Sequence, residues 1–190
     1  MFRAWVGGLL LFLLGGALVT PPAQATVMIY WSDRELTERA ASVVQGTVEQ
    51  QQVVEIEGHL FTDSYVRVFE TLKGKAAAGN VMILRQPGGE TVSVGEKVAG
   101  VAQFHVGEEV LVFARPAGPV HIPVGMCLGK YTIRRGKDGV ARVSRDLGGA
   151  TFARLSQSGR FSIHHPPHAG PLPLVDLKQD IRRFQNGGVR

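Results

Sequence analysis

The sequence predicts a mainly β fold: a small, closed or partly open β-barrel of five to six strands, with a short N-terminal helix and a C-terminal amphipathic helix. Two long stretches, Ser42–Ile56 and 61–72, support this prediction because apolar and polar residues alternate in both with the period of a β-strand. Gly46 lies inside the first stretch, where it indicates a bulge or bend in a long curved strand. An open β-sandwich is the alternative architecture.

Shorter apolar segments supply the remaining strands. The segment 109–114 is the most hydrophobic run after the N-terminal region, so we expect a central strand that is buried on both faces. Further strands are predicted over 81–85, 120–124, 130–134 and 139–143.

Each end of the domain has a helix signal. Ser32 and Glu35 have the spacing of a capping box, which predicts a helix from about residue 33 to residue 41. Near the C-terminus four apolar residues recur at helical spacing, and they predict a docked helix whose buried stripe is Leu174, Leu177, Ile181 and Phe184. The cations of this helix are expected to face solvent: Lys178, Arg182 and Arg183.

Residues 1–25 have the order of a cleavable secretory signal peptide. Arg3 supplies the positive start, and an uncharged apolar run follows over 6–19. Ala23-Gln24-Ala25 places small residues where a signal peptidase cleaves, so the exported form is expected to begin at Thr26. A retained anchor is the alternative, but the apolar run is shorter than the roughly 20 residues that span a bilayer. We therefore expect a periplasmic or extracellular protein without stable membrane insertion after cleavage.

Three regions are expected after the signal. Residues 26–146 form the β-barrel domain, 147–172 a loop rich in Gly, Ser, His and Pro, and 173–190 the C-terminal helix and tail. This length suits one domain with its own core and is too short for two of full size. Tyr30 and Trp31 are expected to staple the start of the domain to the barrel.

Composition excludes some classes of function. The chain has 21 Lys and Arg against 16 Asp and Glu, a net charge of +5, and the cations are scattered, so no nucleic-acid partner is predicted. Cys127 is the only cysteine, which rules out an intramolecular disulfide. Its neighbours Met126 and Leu128 favour a small buried apolar residue over a reactive thiol.

The segments 41–48, 65–74 and 104–113 resemble those of a widespread group of uncharacterised exported bacterial proteins. They are similar, more distantly, to the barrel of tissue inhibitors of metalloproteinases and netrin modules. The likeness consists of a strand with a glycine bend, a strand ending in Leu-Lys-Gly, and a Gly-Glu-Glu turn into a buried strand. It covers about residues 40–134 and implies an OB-like barrel.

The mechanism of those inhibitors does not transfer with the architecture. They place an N-terminal cysteine on the zinc of the protease, whereas Thr26 is the expected first residue of the exported form here. The resemblance therefore implies a fold and leaves the function to be argued from the residues.

His164, His165 and His168 are the candidate metal ligands, because three imidazoles within five positions could converge on one divalent ion. The intervening prolines stiffen the segment, which favours an exposed polar loop over a metal site. A hydrolase using these histidines would need a nucleophile context such as Gly-X-Ser-X-Gly, which the sequence lacks. No catalytic residue, bound metal or cofactor is therefore predicted.

These observations favour an exported, non-catalytic binding domain whose ligand is another protein of the cell envelope or the extracellular space. The segment 86–103 is the expected recognition loop. One alternative is an inhibitor or accessory partner of a secreted peptidase. The other is a metal-binding protein or hydrolase that uses the histidine segment.

Overall fold

The computed structural model describes residues 27–147, 150–156, 159–166 and 170–187. Most of these residues lie in strands, and one α-helix stands near each end. In chain order the elements are β1 (Val27–Ile29), α1 (Asp33–Arg39), β2 (Ser42–Ile56), β3 (His59–Lys73), β4 (Val81–Pro87), β5 (Gly89–Glu90), β6 (Gly95–Glu96), β7 (Glu109–Ala117), β8 (Val120–Pro123), a 3-10 helix (Met126–Gly129), β9 (Lys130–Arg135), β10 (Ala141–Ser144), β11 (Thr151–Leu155), β12 (Phe161–His164), β13 (Leu172–Pro173) and α2 (Leu174–Gln185).

Five of the strands close into a ring. β2 pairs with β3, β3 with β4, and β7 with both β2 and β8. A parallel contact between Leu84 of β4 and His121 of β8 completes the circle. This order, with the first strand between the second and fourth and the last strand between the third and fourth, is that of an OB-like barrel. The prediction of a small β-barrel with two flanking helices is confirmed.

The long β2–β3 hairpin is curved because its first strand is irregular. The pairing register shifts next to Gly46, where an added Cβ would lie only 2.3 Å from the carbonyl oxygen of Arg67. Glycine therefore lets the two backbones approach closely. At the tip, Glu57 and Gly58 both have positive φ, as a type I′ hairpin turn requires.

β7 is buried on both faces, as expected, because it separates two cores. Val110, Val112 and Ala114 point into the barrel. Leu111 and Phe113 point the other way, into a second core that includes residues of both helices. The alternating side chains of one strand thus serve two packed layers.

Beyond the barrel, the sheet continues as an extension. β9 pairs with residues 109–112 of β7, while β8 pairs with residues 114–117 along the same edge. β10 and β13 follow β9, and α2 begins directly after β13. α2 therefore packs against the extension and α1.

The C-terminal helix docks on its own chain through three buried residues of the predicted stripe: Leu174, Leu177 and Ile181. The expectation that its cations face solvent is wrong for Lys178. Its side chain is only 16% exposed, and its Nζ lies 2.6 Å from Glu70 Oε2 on β3. Arg182 reaches the same carboxylate at 3.1 Å. Two cations of α2 therefore form ion pairs with one carboxylate of the barrel strand β3, although these residues are far apart in the sequence.

The prediction of a loop over 147–172 is wrong, because this region contains β11 and β12. Together with β1 they form a separate three-stranded sheet in the order β1-β11-β12. β1 runs parallel to β11, and β12 is antiparallel to it. The composition of this region is typical of a loop, but Phe161–His164 alternates apolar and polar residues with the period of a strand.

The segment 86–103 also differs from a plain loop. β4 continues to Pro87, which faces Phe61 in the register, and β5 and β6 then form a small hairpin. Within the described ranges, no helix has both the length and the apolar character needed to cross a membrane.

Candidate protein-binding surface

The three-stranded sheet has one face packed against the second core. Met28, Phe152 and His164 stand side by side in the register, and side chains paired in this way share a face. Met28 and Phe152 are buried. Tyr30, which directly follows β1, is also buried, and the centre of its ring lies 4.2 Å from the centre of the His164 ring. The sheet is therefore fixed to the domain: Tyr30 is buried in the second core and Trp31 packs, partly buried, against the same core, so the expected pair anchors the N-terminal segment there and not to the barrel interior.

The opposite face of the same sheet is apolar and open. Ile29, Ala153 and Ile163 form one cross-strand row, and Leu155 and Phe161 form the next. The large apolar side chains of this face are 50% to 72% exposed. We call them the outer face: Val27, Ile29, Leu155, Phe161 and Ile163. Contiguous exposed apolar surface of this kind marks interaction sites in soluble proteins.

A groove adjoins the outer face along β1. It has a volume of about 670 Å³ and lies between β1 on one side and the end of β8 with the residues that follow it on the other. We call it the β1 groove, and its main lining residues are Val27, Ile29, Trp31, Ile122, Pro123 and Met126. Since Val27 and Ile29 belong to both features, the groove and the outer face form one continuous surface.

Two arginines add positive charge to this apolar groove. Arg39 and Arg115 both line it and both are exposed. The guanidinium of Arg39 lies 4.4 Å from the centre of the Trp31 ring. Neither arginine forms an ion pair with a residue in the described ranges, in contrast to Arg67 and Arg85, which contact carboxylates at 2.7 and 2.6 Å. The groove therefore offers unpaired positive charge next to apolar walls.

The expected recognition loop borders a different groove, of about 400 Å³. Four glutamine side chains give this groove a polar character: Gln51, Gln52, Gln86 and Gln103. One wall is the stretch 101–105, which a buried ion pair between Glu108 and Lys130 ties to β9. The sequence-based choice of segment thus leads to a structured groove, but the apolar surface lies elsewhere.

The histidine segment does not converge in the part of the chain that the structure describes. His164 is half-buried against Tyr30, and its Nε2 is a buried atom without a hydrogen-bond partner. His165 is exposed. His168 lies outside the described residues. Over the described ranges, no group of three or more His, Cys, Asp or Glu side chains is placed to hold a metal ion.

Cys127 is buried, as expected from its neighbours. Burial raises the pKa of its thiol from 9.0 to about 11. The thiol is therefore protonated at neutral pH, a state that makes it a poor nucleophile.

A polar cluster supports the buried side of the three-stranded sheet. Asp33, the first residue of α1, accepts hydrogen bonds from Tyr131 Oη at 2.9 Å and from Arg145 Nη2 at 2.5 Å. The Arg145 side chain is 4% exposed and stacks on the Tyr131 ring at 4.0 Å. Burial raises the pKa of the Tyr131 hydroxyl. This cluster fixes the start of α1 beside Tyr30.

No protein-family model matches the chain, and no curated protein matches it significantly. The choice of a functional site therefore depends on the geometry of the chain itself.

Sequence reasoning missed three of the outer-face residues because it assigned them to a loop. A signal was present in the alternation of Phe161 and Ile163 around Ser162, which has the period of a strand. The residues Val27 and Ile29 offered no such signal, because three residues are too few to show a period.

Proposed function

We propose that this chain is an exported, non-catalytic binding module that holds another protein against the outer face. The observation that carries the proposal is the row of large apolar side chains on one side of the β1-β11-β12 sheet, exposed by 50% to 72%. A folded domain gains nothing from leaving such a row in water, whereas a partner that covers it removes apolar area from solvent.

The composition of the surface supports a protein as the partner. Phe161 is an aromatic residue of the outer face, paired with Leu155 in the last cross-strand row, and aromatic residues contribute strongly to binding at protein interfaces. The sheet is anchored through Tyr30 and Phe152, so its open face is held in a defined shape before a partner arrives. Such preorganisation lowers the entropic cost of association.

Export is the second part of the proposal, and it depends on the signal-like residues 1–25. Thr26, the expected first residue after cleavage, directly precedes β1 of the outer face. The intact mass of the protein recovered outside the cytoplasm tests this. A mass that begins at or within a few residues of Thr26 supports export, and recovery of the full-length chain from the membrane fraction contradicts it.

A crosslinking experiment tests the surface itself. Three tagged proteins are expressed, crosslinked in intact cells and recovered. They are the wild type, the double variant Phe161→Ser with Ile163→Ser, and the single variant Val106→Ser. Val106 is a matched control because it is 61% exposed but lies outside both the outer face and the β1 groove.

We expect one crosslinked protein with the wild type and with Val106→Ser, and its loss with the double variant. Loss of the crosslinked protein with both the double variant and Val106→Ser, or its retention with both, contradicts the proposed surface. A secreted peptidase belongs among the partners to be sought, because the sequence resemblance to tissue inhibitors of metalloproteinases implies a barrel like theirs.

A further inference from the structure

β1 has a free edge. Among the described strands, only β11 pairs with it. The amide of Tyr30 donates to the carbonyl oxygen of Ala153 at 2.9 Å, so the backbone groups of Tyr30 face β11. Successive residues of a strand direct these groups to opposite edges, and those of Ile29 therefore face away from β11.

The free edge of β1 opens onto the β1 groove, whose lining includes all three residues of the strand. The facing wall comes from β8, which already pairs with β7 and β4 and offers no long open edge. A single extended segment could therefore enter beside β1 and pair with it alone. Addition of a strand to an open edge is a common way for proteins to bind peptides.

The charge of the groove limits what that segment can be. Arg39 and Arg115 provide positive charge, and the apolar lining suits alternate aliphatic side chains. A second copy of this chain would bring the same arginines against each other, and its net charge of +5 adds to the repulsion. An acidic group on the incoming segment would instead pair with them.

We propose that the β1 groove binds an extended segment of a partner protein as a strand added to β1, with a carboxylate of that segment paired to Arg39 or Arg115. This inference rests on the proposed function, since it names the partner chemistry of the same continuous surface. Main-chain hydrogen bonds to β1 would hold the segment, and the arginines would select for negative charge.

The probe is a short synthetic peptide in which valine and threonine alternate between terminal glutamates. Its binding to the exported protein, recovered from cells that express the full chain, is followed by fluorescence anisotropy. Two further peptides carry N-methyl groups, one on the odd and the other on the even residues. An added strand uses only one of these two sets of amides to pair with β1.

We expect one methylated peptide to bind about tenfold more weakly or worse and the other to bind like the parent, because only one of them loses the amides that donate to the outward-facing carbonyls of Val27 and Ile29. Equal binding by both, equal loss in both, or no binding by the parent peptide overturns strand addition. Competition by oleate without any difference between the methylated peptides identifies an apolar anion groove and also overturns it.

The arginines are tested with a peptide in which glutamine replaces both glutamates. The double variant Arg39→Gln with Arg115→Gln should weaken binding of the acidic peptide about fivefold and leave the glutamine peptide unchanged, since exposed ion pairs are weak individually. Arg134→Gln is the control, because Arg134 is exposed and lies outside the groove. An equal effect of the double variant on both peptides overturns the assignment of charge selection.

The two proposals can fail separately. If the outer-face variant loses the crosslinked partner while the methylated peptides show no difference, the binding surface stands and strand addition is wrong. If the outer-face variant retains the partner, the proposed function itself is wrong.

Discussion

Lys130 Nζ lies 2.7 Å from Glu108 Oε2, and the two side chains are only 7% and 13% exposed. Lys130 also donates to the backbone carbonyl of Gln103, and Thr132 Oγ1 donates to Glu108. Burial lowers the pKa of Lys130, and the hydrogen bond to Glu108 opposes that shift. The pair therefore ties the segment that precedes β7 to the start of β9, at the wall of the glutamine-lined groove.

Removing one partner of this pair should cost more than removing both. Lys130→Met leaves a mostly buried carboxylate, and Glu108→Gln leaves a buried ammonium group. We expect each to lower the free energy of unfolding by about 3 kcal/mol, and the double variant to lower it by clearly less than the sum. Urea unfolding of the four proteins measures this. Additive losses would show that the two charges do not interact.

The cluster around Asp33 leads to a ranking of two variants. Asp33→Ala removes the carboxylate that contacts both Tyr131 and the buried guanidinium of Arg145. We expect a loss of about 3 kcal/mol in the free energy of unfolding. Tyr131→Phe removes one hydrogen bond and keeps the ring under Arg145, so about 1 kcal/mol is expected. Thermal unfolding compares them, and equal losses would contradict the assigned role of the carboxylate.

The strands that the sequence predicted well are those with long local patterns. The β2–β3 hairpin follows from two alternating stretches joined by Gly58, and β7 follows from its apolar run. These features are local, so a single sequence carries them. The capping box of α1 is of the same kind, since Ser32 N donates to Glu35 Oε2 at 2.8 Å.

The candidate site depends on long-range pairing, for which the sequence has no local signal. β1 and β11 are separated by more than a hundred residues, and neither is long enough to show a clear period. The same holds for Lys178 and Glu70, whose contact at 2.6 Å joins the last helix to β3. Such contacts depend on the assembled fold, so the pattern of neighbouring residues in the sequence does not predict them.

Cys127 should react with thiol reagents only after the protein unfolds. Its folded-state pKa is raised from 9.0 to about 11, above its unfolded value, so the unfolded chain loses the thiol proton first as the pH rises. The contribution of the protonated thiol to the free energy of unfolding is fully present below about pH 8.5. It is lost as the pH rises towards 11, which lowers the free energy of unfolding by on the order of 2 kcal/mol. Urea unfolding across this range, for the wild type and Cys127→Ala, measures the difference. A constant difference would contradict the raised pKa.

The docking of α2 can be tested with two substitutions on the same helix. Ile181 is fully buried, whereas Val175 is 57% exposed. Ile181→Ala should lower the free energy of unfolding by about 2 to 5 kcal/mol, because it leaves a cavity under the helix. Val175→Ala should change it by less than about 0.5 kcal/mol. Denaturant unfolding gives both values.

Limited trypsin digestion then shows whether the docked helix is what protects its own arginines. Cleavage after Arg182 and Arg183 requires the helix to open, and in the wild type its opening is opposed by the buried Ile181 and by the contact of Arg182 with Glu70 at 3.1 Å. We expect slow cleavage in the wild type and in Val175→Ala, and faster cleavage in Ile181→Ala, because local opening becomes less costly. Early cleavage in all three proteins would show that α2 leaves the barrel readily, as a segment held mainly by a partner would.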